Sequence, residues 1–114
     1  MQLTLLPADN GICIRVEERR LDAAIATAFK DRVRSLAAHA GAQVRLDLSS
    51  VEFMDSSGLG AIIAIYKSIS PGRCFELVGL TPNVERVFHL TRMDTVLTIL
   101  PAAAPALQQE GSAG

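Results

Sequence analysis

The chain has 114 residues, 49% of them hydrophobic, which suits one domain around a single core. Eleven Lys and Arg stand against twelve Asp and Glu for a net charge of −1 with no basic cluster, which argues against direct nucleic-acid binding. The start, MQLTLLPADNG, lacks the charge and apolar run of a signal peptide, and the longest apolar run, Ala61 to Tyr66, is far short of the ~18 residues a membrane span needs, so the chain reads as cytoplasmic, without membrane insertion.

In chain order, Leu3 to Leu6 and Ile12 to Val16 read as two short strands joined by the turn Pro7-Ala8-Asp9-Asn10-Gly11, an antiparallel hairpin. Asp22 caps a predicted helix running to about Ala40, with Ile25, Phe29, Val33 and Leu36 inward and Gly41 as its stop. Val44, Leu46 and Leu48 alternate with Arg45 and Asp47 in a third strand. A second helix spans Ser57 to Ser70, with Leu59, Ile62, Ile63, Tyr66 and Ile69 on one face. Pro71-Gly72 turns into a strand from Cys74 to Val78, and Thr81-Pro82 opens a third helix through Thr91. Val96 to Leu100 reads as a last strand in preference to a short helix, and residues 101–114, PAAAPALQQEGSAG, as a disordered Ala/Pro-rich tail. Strands alternating with helices imply an α/β fold, with a mixed, mostly parallel sheet of four or five strands and an N-terminal hairpin within residues 1–100.

The most informative run is FMDSSGLGAI, Phe53 to Ile62, where a strand gives way to a helix. Asp55, Ser56 and Ser57 are capping residue types, and capping alone accounts for one of them. Gly58 and Gly60 cost roughly 1 kcal/mol each in a helix relative to Ala, a cost that makes sense if something approaches the backbone closely. A hydroxyl at a helix N-terminus is also a natural carrier of phosphate, where free first-turn N–H groups and the positive end of the helix dipole await it.

Enzyme signatures are missing. Ser56 and Ser57 do not sit in a G-x-S-x-G elbow, Gly58-Leu59-Gly60 lacks the third glycine of a dinucleotide fingerprint, and neither histidine is placed as a base. Cys13 and Cys74 read as buried thiols acting as small apolar residues, and no Cys/His spacing fits a metal site. No cofactor is expected. The outer face of the second helix carries Gly60, Ala61, Ala64, Lys67 and Ser68; an ordinary solvated face would carry more charge than one lysine, so this face reads as a docking surface with Ala61, Ala64 and Lys67 as partner contacts.

The run RLDLSSVEFMDSSGLGAIIAIYKSI resembles the signature of STAS domains, in particular the bacterial anti-sigma factor antagonists. The similarity continues at Leu21-Asp22-Ala23-Ala24 and at Val84 to Thr91, and departs at Glu18-Arg19-Arg20, where many relatives carry a glycine. The resemblance implies a single STAS-like domain and a non-enzymatic regulator that works by partner switching. The unphosphorylated form would bind an anti-sigma factor that is also a GHKL-type serine kinase. Phosphorylation of the serine matching Ser56 would break that complex, and a PP2C-type phosphatase would restore it. Asp55 would present the hydroxyl, Ser57 would support or cap, and Gly58, Leu59 and Gly60 would complete the switch loop. Asp22 and Ser49 match positions that would frame the site and bind the partner, although for each alone a helix cap or a turn residue explains it at least as well. A constitutive STAS subunit of a transport or other regulatory assembly, with Ser56 never phosphorylated, is the competing expectation.

Overall fold

A computed structural model describes residues 1–8 and 10–100. The predicted tail, 101–114, and Asp9 of the predicted turn lie outside the described residues.

The N-terminal hairpin forms as expected. β1 (Leu3–Ala8) and β2 (Gly11–Val16) pair antiparallel with Leu5 opposite Ile14. β4 (Gln43–Asp47) then adds parallel to β2, and β6 (Cys74–Val78) parallel to β4. The short β7 (Thr98–Ile99) closes the order β1-β2-β4-β6-β7, a mixed sheet of five strands. A feature with no periodic signature stands apart from it: β3 (Arg20–Leu21) and β5 (Phe53–Met54) form a separate parallel ladder of two residues each.

The helices cover one side of the sheet. α1 (Ala26–Ala37) buries Phe29 and Val33, α2 (Ser56–Ile69) buries Leu59, Ile62 and Ile65, and α3 (Pro82–Leu90) buries Val84 and Phe88. They meet Ile14, Val16, Val44, Leu46, Phe75 and Leu77, the alternate residues of the strands, in one core. The opposite side of the sheet carries Arg15, Arg45, Asp47 and Glu76, with Arg15 3.4 Å from Asp47 and Arg45 3.0 Å from Glu76. Parallel strands are ordinarily covered on both faces. Here the charged residues keep one face wet.

That open face corrects the expectation for the thiols. Cys13 is half-buried and Cys74 exposed, because both fall on the strand positions that alternate away from the core. Burial, followed by the neighbouring Asp47 charge, raises the pKa of the Cys13 thiol.

α1 is shorter than its apolar pattern suggests. Asp22 does not start it directly: a turn intervenes, with the Asp22 carbonyl accepting from Ile25 N–H at 3.1 Å and Ala26 N–H at 2.9 Å. Nor is Gly41 a left-handed stop; among the described residues the left-handed glycines are Gly72 and Gly79. Gly41 instead lies where the Asn10 backbone passes, leaving no room for a Cβ. α2 begins one residue earlier than predicted, at Ser56.

Candidate functional site

The head of α2 does not follow β4 directly. After β4, Leu48 and Val51 are buried, and the Thr81 hydroxyl donates to the Val51 carbonyl at 2.7 Å, pinning the connecting loop to the start of α3. The chain then enters β5, where Glu52 and Phe53 N–H groups donate to the Arg19 carbonyl and the Asp55 N–H to the Leu21 carbonyl. The β3–β5 ladder thus carries the head of α2 against the segment before α1.

Asp55 is the N-cap, with extended backbone at φ −102 and ψ −174. Its Oδ1 accepts from Ser57 N–H at 2.9 Å and Gly58 N–H at 3.0 Å. Its Oδ2 accepts from Ala23 N–H at 3.3 Å, on the turn preceding α1. One carboxylate therefore joins two segments. The Gly58 bond above all, with those from Ala23 and Ser57, holds the Asp55 carboxyl below its ordinary pKa of 3.8.

Ser56 follows the cap as the first residue of α2, and its side chain is exposed beside Asp55. Ser57, also exposed, turns toward a shallow groove between α1 and α2, bordered by Ala23, Thr27, Lys30, Gly60 and Ala64. The free first-turn amides expected to meet a phosphate on Ser56 are only partly there, because Asp55 already occupies those of Ser57 and Gly58.

The two glycines divide. At Gly58 a Cβ would be driven into the Leu21 carbonyl oxygen and sit 3.0 Å from its carbon, so the close approach comes from the chain itself. At Gly60 a Cβ would meet nothing within 4 Å. Packing within the described residues gives no reason for a glycine there. Leu59 points into the core.

Of the remaining predicted residues, Asp22 belongs to the site. It is half-buried, its Oδ1 accepts from Ala24 N–H at 3.1 Å, and its Oδ2 lies 3.3 Å from Arg20 Nε. Ser49 sits on a different loop, exposed, with its N–H donating to Asp47 Oδ1 at 2.9 Å. Ala61 is buried, contrary to its expected place on an outer face, and Ala64 is half-buried. Both line the seam with α1, where small side chains let the two helices pack closely. Lys67 is exposed, three turns along α2 from Ser56.

Sequence reasoning missed the exposed pair beside the switch loop. The Arg20 guanidinium lies 4.3 Å from the centroid of the Phe53 ring, and Phe53 remains 41% exposed. Arg20 and Phe53 face each other in the β3–β5 register, a pairing with no local signal. Lys30 and Thr27, on the groove side of α1, were also passed over, although their helical spacing from Ala23 and Ala26 could have marked them.

A mixed five-stranded sheet covered by helices on one side, with an exposed serine next to an aspartate cap at the head of α2, defines a STAS-type module. A family model described as "Mlab, STAS domain" matches residues 9–101, and the chain belongs to that family. It is similar to the anti-sigma-B factor antagonist of Listeria monocytogenes, 33% identical over 81 residues, 69% of this chain and 70% of that protein. A Thermotoga maritima protein provisionally named as an anti-sigma factor antagonist is 41% identical over 68 residues, 59% of this chain. The match spans about 60% of the length of that Thermotoga relative. Among solved structures, an anti-sigma factor antagonist from Mycobacterium paratuberculosis superposes with a TM-score of 0.79 at 25% identity, covering 93% of this chain and 86% of its own.

Proposed function

We propose that this chain is a cytoplasmic anti-sigma factor antagonist whose binding is switched off by phosphorylation of Ser56. The observation that carries the reading is the exposed Ser56 hydroxyl at the first position of α2, beside a carboxylate that already fills the helix cap. A phosphate adds roughly −1.5 to −2 charges at pH 7. Ser56 neighbours Asp55 in the chain, and Asp22 stands one residue before Ala23, whose amide Asp55 holds. Such a site tolerates a dianion while it faces water.

A partner seated over the loop must desolvate that charge. Leaving a buried charge unpaired costs about 3 to 5 kcal/mol, enough to dissociate a micromolar complex. The switch therefore acts by blocking an interface, with the fold retained. Gly60, kept bare where the described residues need no glycine, fits a partner backbone approaching the same end of α2. The partners proposed are an anti-sigma factor that is also a GHKL-type serine kinase and a PP2C-type phosphatase that resets the switch. The protein itself is the substrate and supplies no catalysis.

The test is incubation with ATP and the candidate kinase, followed by intact mass and mapping of the modified residue. A single phosphate on Ser56, absent in Ser56→Ala, supports the reading, and Ser56→Ala should bind the kinase without being released. Modification lost in Ser57→Ala but retained in Ser56→Ala would move the site. No phosphate from a kinase active on another substrate would favour a constitutive subunit.

A further inference from the structure

We propose that the edge of β1, unpaired among the described residues, pairs with β1 of a second copy of this chain, antiparallel about a two-fold axis at Leu5, to give a continuous ten-stranded sheet. The backbone register supplies the argument. Glu17 N–H donates to the Gln2 carbonyl at 2.9 Å, which marks Gln2–Glu17 as a hydrogen-bonded pair of the β1–β2 register. Bonded and non-bonded pairs alternate along an antiparallel ladder. Thr4, Leu6 and Ala8 therefore turn their backbone groups toward β2, while Leu3, Leu5 and Pro7 turn theirs outward. Proline at an outward position costs the hairpin nothing, since its missing N–H would have pointed away from β2.

This outward edge is self-complementary. With Leu5 opposite Leu5 of the second copy, the two Leu5 residues exchange two hydrogen bonds. Each Leu3 N–H meets a Pro7 carbonyl, adding two more. The one donor that Pro7 lacks would otherwise have answered the Leu3 carbonyl, so four of six ladder bonds form. The side chains agree with the backbone. Leu3, Leu5 and Pro7 share the side of the sheet that carries Ile12, Ile14 and Val16, and Leu5 is 51% exposed there. An apolar Leu5–Leu5 contact flanked by Leu3–Pro7 contacts would cover it. Exposed edges are usually blunted by charged side chains or proline; the stretch LTLLPA carries no charge, and its one proline leaves four of the six ladder bonds in place. β1 is the outermost strand of the sheet and lines none of the groove beside Ser57, so a dimer built this way leaves that groove open.

The experiment is sedimentation of the full chain from micromolar to millimolar concentration, beside Leu5→Pro and Leu5→Lys. The expected result is a concentration-dependent rise toward twice the 12.2 kDa monomer mass for the parent chain. Leu5→Pro removes no hydrogen bond to β2, since the lost N–H points outward, and fixes φ within the extended region, so its circular dichroism should match the parent while its mass stays monomeric. Leu5→Lys keeps the donor but sets two charges against each other on the axis, and should also stay monomeric. Should Leu5→Pro fail to fold, Leu5→Lys reads the same interface. A parent chain monomeric throughout the range would overturn the proposal, as would a dimer that persists in the folded variants.

Discussion

Replacing each of the two glycines of the switch loop by alanine should move stability in opposite directions. At Gly60, the fifth residue of α2, a Cβ meets nothing within 4 Å, so the substitution neither clashes nor packs. What remains is helix propensity, worth about 0.8 to 1 kcal/mol in favour of Ala. For a domain near this size, 1 kcal/mol corresponds to roughly 4 to 8 °C in Tm. At Gly58 the same propensity gain is opposed by a Cβ forced onto the Leu21 carbonyl, with Leu21 Cγ only 3.1 Å away. Overpacking costs about 1 to 3 kcal/mol, and displacing the Leu21 carbonyl endangers its bond from Asp55 N–H, worth about 1 kcal/mol. With the propensity gain set against these two costs, the net for Gly58→Ala is a loss of about 1 to 3 kcal/mol. Urea unfolding of both variants at neutral pH reads the difference directly. A Gly60→Ala variant less stable than the parent, or two variants shifted in the same direction, would refute the assignment of one glycine to internal packing and the other to an open surface. If Gly60 is kept bare for a partner, the more stable variant should also bind that partner more weakly.

Three further outcomes are expected. Because the folded-state pKa of Asp55 is depressed, its contribution is present above its ordinary value of 3.8 and is lost as pH falls through the lower folded value; Asp55→Asn, followed by urea unfolding across this acid range, should show a flatter decline than the parent. Phe88→Ala, which empties a fully buried site on α3, should cost about 3 to 5 kcal/mol by the same denaturation assay. Arg20→Ala removes both the exposed cation–π contact with Phe53 and the exposed ion pair with Asp22, and should cost at most about 2 kcal/mol, so a much larger loss would show that the β3–β5 ladder depends on the Arg20 side chain.

Much of this architecture was legible because it is written in local periodicity. The alternation through Val44, Leu46 and Leu48 and the helical stripe of Leu59, Ile62 and Ile69 both place their residues in the core. What escaped was non-local. The β3–β5 ladder is two residues long on each side, too short for any period to register. The carbonyl that demands Gly58 belongs to Leu21, far away in sequence, so the glycine announced a close approach without naming its source. The small residues Ala61 and Ala64 were legible as a low-charge face but not as a helix seam, because that depends on where α1 lies. Asp55, Ser56 and Ser57 were recognised as cap types, while the division of labour came only with the backbone: Asp55 caps, and Ser56 is left exposed.

The double duty of the Asp55 carboxylate has a kinetic corollary. The amides of Ala23, Ser57 and Gly58 are fastened by the same side chain, although they belong to two segments. Their protection from solvent hydrogen exchange should then rise and fall together, as one small cooperative unit opening below the global unfolding free energy. Whatever draws Asp55 away loosens the turn before α1 and the first turn of α2 in a single event, so a change at one serine would be felt on two helices at once.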